Sequence, residues 1–474
     1  MDGAAGELPR RGPRVHLAAL GCRLNQAEMD ALGGSLAADG LDLENDAGRA
    51  DVIVLNTCAV TAEAERDARR LVRRWHRLRP EADIILTGCQ ATLAPAELAA
   101  LPGVAAIVEN AAKDGLRDRI RKWAGVTSGD GDPEAARHAA AIRTDDRDAE
   151  QGIGGQDDAS TASAVLPPAP GRTRAFVAVQ DGCDQGCAFC ATTLARGAAR
   201  SRHRADVVAQ VERLVRAGYQ EAVLTGVQLG AYGRDLGLRR AGLPSLIRGI
   251  LERTGLPRLR LSSLEPWDLG PALGALWADG RLMPQLHLPI QTGSDALRRR
   301  MARRGRVETV RRLVAEARAA VPELALGTDL IAGLPGETDA DHRATLALVR
   351  ELGFVRLHVF PYSPRAGTAA AAMDGQLPEA LRRERAAELV ALGHELARAH
   401  AARLAGGIRP VLWEAPGAKV DAMGRRSWSG LAPDGTRVRA WSAADLWNRI
   451  LPTRLALDGD GTGGDELSGS VALD

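Results

Sequence analysis

The chain has 474 residues, 45% of them hydrophobic, with a formal net charge of +2. That length exceeds one ordinary domain and can fill two or three cores. No run approaches the roughly 18 apolar residues that span a bilayer, so no membrane partner is expected.

The first segment, MDGAAGELPRRGPR, has no apolar stretch after its charges. It does not read as a secretory signal, and a cytoplasmic location is expected. Three apolar runs follow, each ending in cysteine: VHLAALGC at 15–22, DVIVLNTC at 51–58 and ADIILTGC at 82–89. Short apolar runs of this type predict buried strands. Helical patterns lie between them, in NQAEMDALGGSLAADG and VTAEAERDARRLVRRWHRL. Strand alternating with helix predicts a doubly wound parallel sheet over residues 1–124. Ligands bind beyond the carboxyl ends of such strands, which is where Cys22, Cys58 and Cys89 fall.

Residues 125–170 hold nine acids and three bases, are rich in Gly, Ser, Ala and Pro, and show little apolar periodicity. They predict a disordered linker. A second series starts at Arg174, with candidate strands AFVAVQ (175–180), EAVLTG (221–226), LRLSSL (259–264), QLHLPI (285–290), LALGTDLIAG (324–333) and VRLHVF (355–360). Six strand–helix units predict an α/β partial (βα)6 barrel over 171–405, with the site in the loops at the carboxyl ends. From 406 to 474, PVLWEA and TRVRAW predict a small β-rich region with an acidic tail, LDGDGTGGDELSGSVALD.

The six cysteines are Cys22, Cys58, Cys89, Cys183, Cys187 and Cys190. Three disulfides suit small secreted scaffolds and fit this chain poorly. Metal ligation fits better. DGCDQGCAFC spaces Cys183, Cys187 and Cys190 as C-x3-C-x2-C, so three sulfurs in one loop can face one object. Thiolates are soft ligands for iron–sulfur clusters, zinc or copper(I). Structural zinc needs a fourth ligand, and the nearest histidine is His203. A four-iron cluster on three thiolates keeps one iron open. Two open clusters favour catalysis over a two-cluster electron carrier; a zinc-containing nucleic-acid module is the remaining class. Arginines recur in ARRLVRRWHRLR (68–79), RSRHR (200–204) and RRRMARRGR (298–306). Any one cluster reads as a solvated helix face, but three beside a metal site favour a nucleic-acid partner.

The C-x3-C-x2-C loop after the first barrel strand resembles that of the radical S-adenosylmethionine superfamily. Its pairing with an upstream three-cysteine set resembles the methylthiotransferases, and several words resemble the MtaB-type tRNA methylthiotransferases. These are ALGCRLNQAE (19–28), NTCAVTAEAERDARR (56–70), RLSSLEP (260–266) and HVFPYSPRAGTAA (358–370). The resemblance implies two 4Fe-4S clusters, an auxiliary one on Cys22, Cys58 and Cys89 and a radical-generating one on Cys183, Cys187 and Cys190, with S-adenosylmethionine as cofactor. It implies that a methylthio group is placed on carbon 2 of N6-threonylcarbamoyladenosine in tRNA; sister enzymes act on isopentenyladenosine or a ribosomal protein. It implies cofactor contacts at Thr225, Gly226, Ser263, Glu265, Gln291, Ile331 and Gly333, and no side-chain acid or base beyond the cluster ligands. Partners would be tRNA and an electron donor such as flavodoxin or ferredoxin. Arg196, Arg200 and Arg202 are the candidate tRNA contacts, and residues 406–474 resemble a degenerate TRAM-like RNA-binding barrel.

Overall fold

The computed structural model describes residues 13–124, 165–169, 172–238, 241–457 and 467–471. It divides into two compact units, Met1–Leu166 and Pro167–Asp474. Most of the expected linker, 125–164 and 170, lies outside the described residues.

In the first unit five strands form one parallel sheet. They are β1 (Arg14–Ala19), β2 (Asp42–Leu43), β3 (Val52–Thr57), β4 (Asp83–Gly88) and β5 (Val104–Val108), in the order β2-β1-β3-β4-β5. Alternation along β3 and β4 builds both faces. Ile53, Leu55, Ile84 and Leu86 pack with Val72 and Trp75 of helix α2 (Ala62–Leu78). Val52, Val54 and Ile85 pack on the other face with Met29 and Leu36 of helix α1 (Arg23–Ala38) and with Ile120. Burial of both faces explains why these strands read as continuous apolar runs. Strands β2 and β5 were not expected. The first is two residues long and the second, VAAIV, is too Ala-rich to stand out. The strand order reverses between β1 and β3, the place where sheets of this kind leave a crevice.

The second unit contains all six expected barrel strands. They are β6 (Arg174–Asp181), β8 (Glu221–Gly226), β9 (Arg258–Leu261), β10 (Gln285–His287), β11 (Ala325–Ala332) and β12 (Arg356–Pro361); β7 (Arg200–Ser201) adds an antiparallel edge. Hydrogen bonding gives the orders β7-β6-β8-β9 and β10-β11-β12. Isolated parallel bridges Leu259–Leu282 and Ser263–His287 join the two sets across the curve.

Residues 408–471 close into a five-stranded barrel: β13 (Ile408–Val420), β14 (Arg426–Leu431), β15 (Arg437–Ser442), β16 (Ile450–Leu457) and β17 (Leu467–Val471). Trp413, Trp428, Val438, Leu446, Leu455 and Leu467 fill it. The tail is therefore more than an acidic extension. Its LSGSV segment is β17, paired with both β15 and β16. This barrel belongs to the same compact unit as the (βα)6 strands and sits at their amino ends. Arg258, the first residue of β9, donates to the carbonyls of Leu431 (3.0 Å) and Pro410. Arg260 donates to Pro433 O (3.0 Å) and pairs with the fully buried Glu221 at 2.8 Å. Arg174 pairs with Glu414 at 2.6 Å. These pairs leave the carboxyl ends of the strands open for a site.

Candidate active site

The first cysteine set forms where β1, β3 and β4 end. Cys22 stands just before α1, Cys58 just after β3, and Cys89 opens the short helix α3 (Cys89–Leu93) that follows β4. Two glycines let these ends meet. Gly21 has φ +83°, and a Cβ there would overlap Cys58 Sγ. Gly88 has φ +97°, and a Cβ there would overlap Thr57 O and Asn56 Oδ1. Both φ values belong to the left-handed region that glycine tolerates. Buried Asn25 ties the loops together, donating to Leu20 O (2.8 Å) and Thr57 O (3.1 Å). Cys58 Sγ accepts from Val60 N (3.4 Å) and Cys89 Sγ from Asn110 Nδ2 (3.9 Å). Gln90, next to Cys89, is buried with neither amide atom hydrogen-bonded among the described residues.

The second set lies in the loop after β6. Gly182 has φ +69° because a Cβ would overlap Ala198 O, and Cys183 N donates to Gly197 O (3.0 Å). Gln180 spans the root of the loop: its amide donates to Asp181 O (2.8 Å) and Gly182 O (2.7 Å), while its oxygen accepts from Gln228 N (2.8 Å). Ala188 N donates to Met301 O (2.9 Å). Ala188 and Phe189 pack in one apolar cluster with Leu297, Met301, Leu334 and Ile331. Burial pushes the Cys183 thiol up to about 11 and also raises Cys187, against the opposing pull of Arg303. Ligation by a metal would reverse that, since the coordinated form is the thiolate.

Neither cysteine set brings three sulfurs within 4.8 Å of one another among the described residues. Four thiolates on one zinc stand about 3.8 Å apart, from a bond of about 2.3 Å. A multi-iron cluster, whose ligands attach at separate corners, does not require its thiolates to lie that close. Buried amides also suit it. Among the described residues the side-chain amide of Gln90 has no partner, and Gln228 Nε2 has none while its oxygen lies 3.3 Å from Cys183 Sγ. Such N–H groups are the donors that cluster and cysteine sulfurs accept from.

The other expected contacts fall at the same end of the barrel. Thr225 and Gly226 end β8, and a Cβ on Gly226 would lie 2.9 Å from Gln180 Oε1. Ser263 bridges to His287. The Glu265 side chain is 12% exposed and held by Arg303 at 2.7 and 2.6 Å. Burial raises its carboxyl, and Arg303 pulls against that. Gln291 has φ +68°, its N–H donating to Asp329 O (2.9 Å) and its carbonyl accepting from Ile331 N (3.0 Å). A side chain held at positive φ is strained, and such strain concentrates at functional sites. Gly333 has φ +79° and donates to Glu337 Oε2 (2.7 Å).

Sequence reasoning missed Arg303. It donates to Cys187 Sγ (3.7 Å), holds Glu265, and lies over the Trp267 ring at 5.3 Å. Nothing in RRRMARRGR separates it from its neighbours; only burial does. The arginines expected to contact tRNA also divide. The Arg196 side chain is 1% exposed and paired with Asp181 at 2.7 Å, so it is not offered to a phosphate. Arg202 is held by Ala178 O (2.8 Å) and Gln210 (2.7 Å). Arg200 also pairs with Asp181, at 3.5 Å, but its side chain is 60% exposed. A cavity of about 530 Å³ between segments 269–278 and 313–324 contains none of these residues.

Residues 14–109 match the model of the uncharacterized protein family UPF0004, and residues 177–349 that of the radical SAM superfamily. The chain is 33% identical over 390 residues to threonylcarbamoyladenosine tRNA methylthiotransferase MtaB of Bacillus subtilis, covering 81% of each. It is 34% identical over 402 residues to the protein of that name from Thermotoga maritima, covering 84% of this chain and 86% of the other. It is also 34% identical over 425 residues to tRNA-2-methylthio-N(6)-dimethylallyladenosine synthase of Sphingopyxis alaskensis, covering 87% and 89%. Among solved structures it is similar to the radical S-adenosylmethionine methyltransferase TsrM of Kitasatospora setae, with tryptophan and a SAM analogue bound. The TM-score is 0.51 at 17% identity, over 87% of this chain and 80% of that one. At that identity the likeness shows the fold alone.

Proposed function

Because the chain belongs to the radical S-adenosylmethionine methylthiotransferases of tRNA, we propose that it transfers a methylthio group to carbon 2 of N6-threonylcarbamoyladenosine in tRNA. The observation that carries this reading is the pair of cysteine sets, each at the carboxyl ends of parallel strands and each backed by a buried amide. Overall identity does not choose the nucleoside, since relatives named for threonylcarbamoyladenosine and for dimethylallyladenosine both stand at 33–35%. The choice rests on the words ALGCRLNQAE, RLSSLEP and HVFPYSPRAGTAA.

As a radical SAM enzyme the protein uses an iron–sulfur cluster and S-adenosylmethionine. The finer reading is two 4Fe-4S clusters, one on Cys183, Cys187 and Cys190 and an auxiliary one on Cys22, Cys58 and Cys89. Bound there, these groups supply the radical that removes the carbon-2 hydrogen and the sulfur that replaces it. The chain's own residues bind and orient. Arg303 donates to Cys187 and fixes Glu265, while Phe189 and Ile331 offer an apolar wall. In this reading Thr225, Gly226, Ser263, Glu265, Gln291, Ile331 and Gly333 surround S-adenosylmethionine. Arg200 is the arginine that reaches a tRNA phosphate. Residues 1–124 carry the auxiliary site, 171–405 the radical site, and 406–474 a small TRAM-like barrel. The enzyme works in the cytoplasm with an electron donor such as flavodoxin or ferredoxin; no helix among the described residues is long and apolar enough to cross a membrane.

The test is mass spectrometry of tRNA nucleosides from wild-type and deletion strains. Loss of 2-methylthio-N6-threonylcarbamoyladenosine alone is expected. Retention of that nucleoside with loss of the methylthio-isopentenyl one, or of a modified ribosomal-protein residue, would overturn the substrate and leave the radical chemistry standing.

A further inference from the structure

Three side chains outside both cysteine sets converge on one point. His287 ends β10, Asp329 lies in β11 and His358 in β12, three neighbouring parallel strands. His287 Nε2 lies 2.9 Å from Asp329 Oδ1, and His358 Nδ1 lies 3.1 Å from the same oxygen. The two imidazole rings are 4.9 Å apart and inclined by 31°. One nitrogen from each ring and the carboxylate oxygen all lie within 4.8 Å of one another. From these positions we propose that His287, Asp329 and His358 bind a divalent transition-metal ion, at a site separate from the cysteine ligands and independent of which nucleoside is modified.

Spacing supports this reading. Metal bonds of about 2.0–2.1 Å in tetrahedral geometry set neighbouring donor atoms about 3.4 Å apart. The two nitrogen-to-oxygen separations, 2.9 and 3.1 Å, reach that with side-chain shifts of a few tenths of an ångström, and the two ring nitrogens lie within 4.8 Å of each other. The scaffold is rigid, because Asp329 and His358 are register partners across the β11–β12 ladder. Gly327, the register partner of His287, makes room for the imidazole: a Cβ there would lie 2.9 Å from Nδ1.

Charge supports it too. Burial pushes the Asp329 carboxyl up, but the two imidazole hydrogen bonds more than offset this and hold it well below the ordinary range. Among the described residues its ion-pair partners are the two histidines, and with neutral imidazoles the trio carries one negative charge. The nearby acid that it senses, Glu265, is already matched by Arg303. A half-buried carboxylate in that setting is stabilised by a cation. Two imidazoles and one carboxylate select zinc, iron(II) or cobalt(II) over magnesium or calcium, which prefer all-oxygen shells. His358 is 51% exposed, which gives an entry path and leaves coordination positions open.

The experiment uses full-length enzyme with its iron–sulfur clusters reconstituted and loosely bound metal stripped on a chelating resin. It is dialysed anaerobically against micromolar zinc, and zinc and iron are counted by mass spectrometry. Wild type is expected to hold one zinc per chain beyond that of the Asp329→Asn and His358→Ala enzymes, with equal iron in all three. Loss of a group that only orients a ligand already weakens metal binding by about 10–100-fold, and loss of a ligand is expected to weaken it at least as much. Asp329→Asn keeps the side-chain shape, and circular dichroism checks its fold. Cobalt(II) in place of zinc is expected to give a high-spin paramagnetic signal in wild type alone. Equal zinc in wild type and both variants, or none in wild type, would show a hydrogen-bonded trio only and overturn the proposal.

Discussion

Gly88→Ala tests whether the ends of β3 and β4 build the first cysteine site. The position has φ +97°, and an added Cβ would stand 2.7 Å from Thr57 N and closer still to Thr57 O and Asn56 Oδ1. Holding a non-glycine residue at such a φ costs about 1–3 kcal/mol. Crowding backbone that cannot swing aside adds about 1–3 kcal/mol. The sum is about 2–6 kcal/mol, whose upper half is the range of core disruption. Relief requires the strand ends to part by roughly 1 Å, the size of contact violation that close-packed interiors do not absorb locally. Thr57 precedes Cys58 and Gly88 precedes Cys89, so both ligands move together. Two assays read this. Urea unfolding of the cluster-free protein gives the stability loss, and iron analysis after anaerobic reconstitution is expected to fall from about eight irons per chain to about four. Cleavage of S-adenosylmethionine at Cys183, Cys187 and Cys190 is expected to persist. Gly40→Ala is the control: its φ is +82° but a Cβ there meets nothing within 4 Å, so it tests strain without the clash. Full iron in Gly88→Ala, with a stability change below about 0.5 kcal/mol, would refute the reasoning.

Arg303→Met strips Glu265 of its partner and Cys187 of a donor. It is expected to cost about 3–5 kcal/mol in urea unfolding, and adding Glu265→Gln is expected to recover part of that loss. Asp434 hydrogen-bonds His400 at 2.6 Å; burial pushes its carboxyl up, but His400 and Thr436 hold it down to about 2. A depressed carboxyl stabilises above its unfolded value of 3.8 and loses that contribution as pH falls toward about 2. This contribution is worth about 2 kcal/mol, so unfolding of the cluster-free protein is expected to weaken across that window in wild type and not in Asp434→Asn. Arg200→Ala is expected to weaken tRNA binding and lower its salt slope by about one. Arg196→Ala, which removes the 2.7 Å partner of Asp181 and leaves it the 3.5 Å pair with Arg200, is expected to lower stability instead.

The repeated pattern of apolar run, glycine or threonine, then cysteine made the parallel sheet and the common end of Cys22, Cys58 and Cys89 legible in the sequence. Strands buried on both faces must be apolar throughout, and a ligand at the strand end must interrupt that run. The C-x3-C-x2-C loop and six barrel strands were legible for the same local reason. Tertiary structure alone decided which arginines are buried. Arg196, Arg258, Arg260 and Arg303 look like any surface arginine in sequence, yet are buried against partners far away along the chain. It alone turned the tail into β17, because LSGSV becomes a strand only when β15 and β16 offer edges to it. It also brought together His287, Asp329 and His358, residues from three separate segments. Local pattern reports what a residue's neighbours in the chain require; pairing register and burial are set by partners that the chain reaches only once it has folded.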